Sequence, residues 1–141
     1  MQQNISSYLT GLTNLASSIS SYIGPSFIEV DCMYKKDYKK SFANKYKIKE
    51  ELIELEETNK TLEQILASWL GTDEKKLLES LLYWINLEIG NPIKVYTIKN
   101  NKLLDSLGRC DGGISMFYLM DDMFFVEFKK YMVCFTMGNN E

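Results

Sequence analysis

The chain has 141 residues, of which 45% are hydrophobic and 13% aromatic, and its formal net charge is −3. This length and apolar content exclude an intrinsically disordered chain and predict one domain, residues 1–141, with its own core. Because the sequence contains no histidine, Ser-His-Asp catalysis, Cys-His catalysis and most zinc chemistry are excluded.

The first predicted element is an amphipathic helix over residues 4–23, which Gly24 and Pro25 end. We expect its apolar stripe to face the core and its serines and threonines to take the other face. Residues 26–33, SFIEVDCM, alternate in polarity and predict a short strand. The apolar stripe of the helix consists of Ile5, Leu9, Leu12, Leu15, Ile19 and Ile23.

The stretch YKKDYKKSFANKYK, residues 34–47, places an aromatic ring at every fourth position among lysines. In a helix the four rings fall within about 120°, the width of a core-facing stripe, so we expect buried rings and solvated lysines. The alternative is a surface for single-stranded nucleic acid, which requires exposed rings. The rings belong to Tyr34, Tyr38, Phe42 and Tyr46.

Residues 48–57, IKEELIELEE, predict a second helix with one apolar and one acidic face. Its apolar stripe begins about 160° from Tyr46 in helical projection, so a break is expected between residues 44 and 47. A clustered acidic face is a candidate site for a basic partner, because it speeds capture by electrostatic steering. The apolar face holds Ile48, Leu52 and Leu55; the acidic face holds Glu50, Glu54 and Glu57, with Glu51 and Glu56 nearby.

Two further helices are predicted before residue 92. Thr61 and Gln64 form a capping box at the start of the first, and Gly71 ends it. Thr72 is expected to cap the second, with Asp73 and Glu74 in its first turn and Gly90-Asn91-Pro92 after it. The buried faces are predicted to be Leu62, Ile65, Leu66, Trp69 and Leu70, then Leu77, Leu78, Leu81, Leu82, Trp84 and Ile85.

From residue 93 the apolar pattern changes to period two. Segment 93–98 and the stretches GGISMFYLM, DDMFFVEF and KKYMVCFTM predict a four-stranded antiparallel meander, with a short helix possible within 100–108. Asp121-Asp122 and Lys129-Lys130 are expected in hairpin turns. The strands are nearly continuously apolar, so helices should cover one face of the sheet. The predicted class is α+β, with a helical part over 4–90 packed on a β part over 93–138.

The sequence offers little reactive chemistry. Cys110 lies beside Arg109 in GRCDGG but has no histidine base, and the segment is interpreted as a glycine-rich loop. Asp111, Asp121 and Asp122 are interpreted as turn residues, and nucleotide-binding and nucleophile-elbow motifs are absent. Glu127 and Asp105 share a cleft only if the fold brings them together. No catalytic residue, cofactor site or metal site is therefore predicted, and elimination favours a protein that acts through surface contact.

The location and redox state also follow from the sequence. The amino-terminal stretch MQQNISSYLTGLTNL has no basic region or long apolar run, so no signal peptide or membrane span is expected. The three cysteines are widely spaced, which favours reduced thiols over a disulfide framework. We therefore predict a cytoplasmic protein that does not contact a membrane. Because the chain is acidic, we also predict that it does not bind nucleic acid directly.

In general character the chain resembles immunity proteins of bacterial polymorphic-toxin and contact-dependent growth-inhibition systems. It is small, acidic and rich in Lys, Asn, Ile and Tyr, and its helices lead to the terminal segment FYLMDDMFFVEFKKYMVCFTMGNNE. The resemblance implies a cytosolic, non-enzymatic inhibitor of one cognate toxin domain, often a basic nuclease. The predicted partner-binding residues are Glu50, Glu51, Glu54, Glu57, Asp121 and Asp122.

Two other functions stay open at this point. One is a small-ligand-binding or enzymatic α+β domain with its pocket between helices and sheet. The other is a nucleic-acid accessory protein that uses the aromatic and lysine-rich run at residues 34–46.

Overall fold

The computed structural model describes residues 1–20, 25, 27–71, 74–99, 103 and 120–138. Within these ranges four α-helices surround a five-stranded antiparallel sheet, which confirms the predicted α+β class. The helices are α1 (Gln3–Ile19), α2 (Tyr38–Tyr46), α3 (Leu62–Leu70) and α4 (Lys75–Ile89); the strands are β1 (Phe27–Tyr34), β2 (Leu55–Glu57), β3 (Lys94–Ile98), β4 (Met120–Glu127) and β5 (Tyr131–Gly138).

The strand order is β1-β5-β4-β3-β2, so the predicted four-stranded meander is wrong in detail. The amino-terminal half supplies both outer strands. β1 pairs with β5 along its whole length, from Phe27 opposite Gly138 to Tyr34 opposite Tyr131. This pairing places the carboxy-terminal strand inside the sheet, where a nearly continuous apolar sequence is expected. The predicted strand GGISMFYLM lies outside the described residues except for Met120.

Of the two predicted hairpin turns, one is confirmed and one is wrong. Lys129 and Lys130 join β4 to β5, and the Phe128 N–H donates to the Tyr131 carbonyl at 2.8 Å. Asp121 and Asp122 instead lie within β4, where the register with β5 shifts between Met120 and Asp122. Such a bulge accommodates one extra residue without ending the strand, so the charged pair does not mark a turn.

Both faces of the sheet are covered, whereas the sequence predicted helices on one. Helices α1, α3 and α4 pack on the first face, over β4 residues Phe124 and Val126. On the second face α2 and a 3₁₀ helix at Glu50–Leu52 pack over Met123 and Phe125. Because alternate side chains enter different cores, an apolar run in β4 is buried throughout.

Local sequence rules hold best for α3. The capping box is present: the Gln64 N–H donates to Thr61 Oγ1 at 3.1 Å, and the Thr61 N–H donates to Gln64 Oε1 at 2.9 Å. All five residues predicted for the buried face of α3 are buried. α4 begins at Lys75 with Glu74 as its N-cap, and the predicted Thr72-Asp73 start lies outside the described residues.

The predicted break after α2 is confirmed, but the predicted helix over 48–57 is wrong. Lys47 adopts a left-handed conformation with φ of 55°, which ends α2. The chain then forms the 3₁₀ helix Glu50–Leu52 and strand β2, which pairs Leu55 with Ile98 of β3. Pairing at the sheet edge therefore outweighs the helical periodicity of this acidic segment.

The aromatic stripe of the lysine-rich run points largely into the second core. Phe42 is fully buried and Tyr46 is 9% exposed, whereas Tyr38 is half-buried. Tyr34 lies at the end of β1 and stacks on Tyr131 with ring centroids 5.6 Å apart. The prediction of buried rings is confirmed for Phe42 and Tyr46, so a continuous aromatic surface for nucleic acid is not formed.

The serines and threonines of α1 form a solvent face only in part: Ser7 and Ser18 are exposed, but others are not. Ser6 and Thr13 are buried, whereas Leu15 and Ile19 of the predicted apolar stripe are exposed. A polar stripe of the helix lies along the outer edge of β1 and bonds its backbone. The pairs are Ser6 with Cys32, Thr10 with Val30 and Asn14 with Ile28.

The residue spacing along the polar stripe of α1 matches the residue spacing along the edge of β1. Four helical residues advance about 6.0 Å and two strand residues about 6.6 Å, so consecutive pairs stay in register. Asn14 bonds both polar groups of Ile28: Nδ2 donates to its carbonyl at 2.6 Å, and Oδ1 accepts from its N–H at 3.0 Å. Helix α1 thus takes the place of a sixth strand and covers one sheet edge.

No helix in the described part of the chain is both long enough and apolar enough to cross a lipid bilayer.

Candidate functional site

Three of the predicted acidic residues come together beside α2. Glu50 and Glu51 lie on the 3₁₀ helix and Glu54 follows it, and together they line a shallow depression of about 510 Å³. Lys39 of α2 and Ile53 complete its lining. Ile53 is 1% exposed and belongs to the second core. Its burial fixes the path of the chain, so the neighbouring carboxylates are held outside the core.

The remaining glutamates of this segment lie on β2. Glu56 and Glu57 are exposed, and β2 is the last strand of the sheet in the described chain. Glu57 accepts a hydrogen bond from Lys94 Nζ at 3.0 Å, which partly neutralises its charge. Charged side chains on a short edge strand also discourage a strand of another chain from pairing with it. The predicted single helical face is therefore absent, but its members Glu50 and Glu54 still share one surface with Glu51.

The two aspartates of β4 do not join this surface. Asp122 Oδ2 accepts a hydrogen bond from Trp69 Nε1 at 3.1 Å, and Oδ1 accepts from the Met123 N–H at 3.1 Å. Asp122 therefore holds α3 against the first face of the sheet, whereas the depression lies on the α2 side. The side chain of Asp121 lies outside the described residues. Their partner-binding role stays a prediction.

A buried charge cluster was missed by the sequence analysis. Asp31 of β1 is fully buried, and its carboxylate accepts hydrogen bonds from Lys45 Nζ and from the Tyr46 hydroxyl. Burial alone would lower the pKa of Lys45, but the hydrogen bond and charge of Asp31 outweigh it and raise that pKa. Burial, followed by the charge of Asp31, raises the pKa of Tyr46. The available signal was an aspartate flanked by Val30 and Cys32 within an apolar strand.

A second titratable cluster surrounds Glu127 at the end of β4. Its carboxylate accepts from Lys35 Nζ at 2.9 Å and from the Tyr96 hydroxyl at 2.8 Å. The hydrogen bonds from Lys35 and Tyr96 lower the pKa of Glu127, and the bond to Glu127 raises the pKa of Tyr96 to about 12. Asp105, considered as a partner for Glu127, lies outside the described residues.

Lys35→Met is expected to reduce the acid sensitivity of folding. Because the pKa of Glu127 is lowered in the folded state, ionised Glu127 stabilises the fold at pH values above its ordinary pKa of 4.5. This stabilisation is lost as the pH falls through the lower pKa of the folded state. Because Lys35 is 35% exposed, we expect a loss of only about 1 kcal/mol at neutral pH, and less at pH 3. Urea denaturation from pH 3 to 7 measures it. Equal losses at all pH values would contradict the ion pair.

The described cysteines are unsuited to nucleophilic chemistry. Burial raises the pKa of Cys32 to about 12 and that of Cys134 well above its ordinary value. Cys32 belongs to the first core and Cys134 to the second, so their side chains lie on opposite faces of the sheet. They are free thiols, as the sequence predicted for reduced cysteines, and Cys110 lies outside the described residues.

Among the residues that the structure describes, no group of three or more Asp, Glu, Cys or His side chains is arranged to hold a metal ion. The tryptophans differ in their surroundings. Trp69 is 2% exposed, which confirms the core prediction, whereas Trp84 is 48% exposed, which makes the same prediction wrong for that residue. The outer surface of α4 is therefore more apolar than its periodicity indicated.

Comparisons of this chain with protein-family models, with curated proteins and with solved structures found no match. Its function therefore has to be inferred from the chemistry of its own side chains.

Proposed function

We propose that this protein is an immunity protein that binds a cognate toxin domain, a nuclease, and neutralises it by steric and electrostatic blocking. The observation that carries the proposal is the convergence of Glu50, Glu51 and Glu54 on one depression. Resemblance to immunity proteins supplies the class of partner, and the acidic surface supplies the expected chemistry. A nuclease domain must attract phosphate, so its substrate-binding surface is basic and complements these carboxylates.

The exposed position of the carboxylates favours a role in binding a partner over a role in stabilising the fold. All three glutamates are exposed, and among the described residues Lys39 is the single cation that lines the depression. Arginine or lysine side chains of a partner can therefore enter and form charge-assisted hydrogen bonds. The adjoining turn is anchored by Ile53, so little ordering is required on binding.

Charge reversal at Glu50, Glu51 and Glu54 is expected to slow association with the toxin domain by about 10- to 100-fold at low salt, because steering is lost. Stopped-flow measurements at increasing salt give the rate and its ionic-strength dependence. Glu57→Lys should have a smaller effect, since Lys94 already pairs with that carboxylate.

The control is Glu63→Lys with Glu79→Lys, which reverses two exposed carboxylates on α3 and α4 and is compared with a two-residue variant of the depression, Glu50→Lys with Glu54→Lys. This control should leave the association rate within about twofold, because its charges lie away from the depression. Equal slowing by the control and by the depression variant would show that net charge, not this surface, governs association.

The proposal predicts a secreted protein encoded beside this chain, and the function itself is tested with the carboxy-terminal domain of that protein. Expression of that domain alone should arrest growth, and co-expression of this protein should restore it through a complex of nanomolar Kd. Growth arrest that co-expression does not relieve would contradict the proposal. Thermal stabilisation by a metabolite, without stabilisation by the toxin domain, would favour the alternative of a small-ligand-binding or enzymatic domain.

A further inference from the structure

Helix α1 has the weakest apolar anchor of the four helices. Two of its four buried residues are polar and one is alanine, so Leu9 is its single large apolar side chain that is fully buried. Ile5 and Leu12 are only partly buried. Helix α3 has nine residues against 17 in α1, yet it buries five large apolar side chains. Burial of apolar surface therefore holds α1 in place less firmly than α3.

The composition of α1 also disfavours a helix that stands alone. Nine of its 17 residues are serine, threonine, asparagine or glycine, which have lower helix propensity than alanine or leucine. The helix has no charged side chain that could form ion pairs along it, and no side-chain hydrogen bond caps its first turn. Its helical state therefore depends on contacts with the rest of the protein, and the segment unfolds when it separates from them.

Gly11 weakens α1 although the structure does not require glycine there. The residue is exposed, its φ is not positive, and no atom of another element lies within 4 Å of the position that a Cβ would take. Alanine at this position would raise the equilibrium constant for helix formation about fivefold. Elements that move within a folded protein belong to its least stable parts, and Gly11 keeps α1 among them.

Hydrogen bonds from polar side chains hold α1 along the outer edge of β1. The outward amides of β1, which bond α1, are those of Ile28, Val30 and Cys32. Water replaces such partners when a helix leaves, so each bond gives only a modest net stabilisation. Because backbone direction alternates along an antiparallel strand, the inward amides, those of Glu29, Asp31 and Met33, face β5. Pairing with β5 along its whole length keeps β1 in the sheet without α1.

We propose that α1 opens from the folded protein as one unit and uncovers the outer edge of β1, while the five-stranded sheet stays folded. In the closed state, α1 prevents another strand from pairing with β1. In the open state, the outward backbone groups of β1 are available to an added strand. The acidic depression lies beside α2 on the second face, so the opening leaves it intact, and the inference does not depend on the proposed function.

Amide hydrogen exchange of the full chain, followed by NMR at increasing urea concentration, tests the opening. In the wild type, the protection factors of the outward amides should be at least about tenfold lower than those of the inward amides. The outward amides should share their protection and their weak urea dependence with the amides of α1, because one partial opening exposes both sets. Equal protection of the outward and inward amides would overturn the proposal.

Gly11→Ala tests whether α1 is the element that opens. This variant should raise the protection of α1 and of the outward amides together by about fivefold, since it stabilises the closed helix and not the open state. Wild-type protection of the outward amides in this variant would assign their exchange to another motion and so contradict the proposal.

Ile53→Val is the control for global unfolding. Ile53 is 1% exposed and lies in the second core, away from α1. Its replacement should lower the protection of the inward amides by about fivefold and leave α1 and the outward amides unchanged. A parallel loss of protection in all three sets would show that α1 leaves only when the whole domain unfolds, which is the result that the proposal excludes.

Discussion

Lys45→Met is expected to lower the free energy of unfolding by roughly 3 kcal/mol, the lower end of the range for a buried ion pair, because Asp31 is fully buried whereas the Lys45 side chain is 29% exposed. Asp31 is fully buried, and Lys45 supplies the charge that compensates its carboxylate, while Tyr46 donates the other hydrogen bond. Without the ammonium group, the carboxylate stays in an apolar environment with one neutral donor. Urea denaturation at pH 7, followed by circular dichroism, measures the loss.

The control for this prediction lies on the same helix. Lys40→Met replaces an exposed lysine of α2 and should change stability by less than about 0.5 kcal/mol. The double variant Asp31→Leu with Lys45→Met should be less destabilised than Lys45→Met alone, because no uncompensated charge remains. A loss from Lys45→Met no larger than that of the control would show that the cluster does not stabilise the fold.

Thr10→Val with Asn14→Leu is expected to destabilise the protein by about 2–4 kcal/mol, because backbone groups of β1 lose their hydrogen-bond partners. The affected groups are the N–H and carbonyl of Val30 and of Ile28, which bond Thr10 Oγ1 and the Asn14 amide. Thermal denaturation measures this loss. Hydrogen exchange should locate it to β1, where the Ile28 and Val30 amides lose protection.

Ser7→Ala with Ser18→Ala provides the matched comparison on α1. Both serines are exposed and lie away from β1, so stability should stay within about 0.5 kcal/mol of the wild type. The variant Thr10→Val with Asn14→Leu should also aggregate more readily than the wild type, since the uncovered backbone of β1 can pair with another chain. Unchanged protection of Ile28 and Val30 would contradict the role assigned to the polar stripe.

The candidate site was only partly predictable. The acidic composition of 48–57 identified Glu50, Glu51 and Glu54, but the helical projection also joined Glu57, which pairs with Lys94 across the sheet edge. Asp122 was predicted in a turn that forms a second acidic surface, yet it lies within β4 and bonds Trp69 on the first face of the sheet. A sequence pattern reports which charges are present, whereas their grouping depends on strand pairing between distant segments.

The exposed surface of α4 had no reliable sequence signal. Trp84 follows the apolar periodicity as well as Ile85 does, but Ile85 packs in the first core and Trp84 faces outward beside α1. The width of an apolar stripe cannot distinguish a side chain that packs in the core from one at the margin. That distinction depends on how closely the neighbouring helix approaches.

The sequence by itself determined the elements that short-range interactions define: the capping box of α3, the end of α2 at Lys47 and the Lys129-Lys130 turn. Their hydrogen bonds or backbone preferences involve neighbouring residues, so local chemistry is sufficient. The tertiary structure alone decided that Asp31 meets Lys45, that the polar stripe of α1 covers the edge of β1, and that residues 55–57 form a strand. These contacts join segments distant in the chain, and their free energy outweighs the local preference for a helix or a solvated polar face.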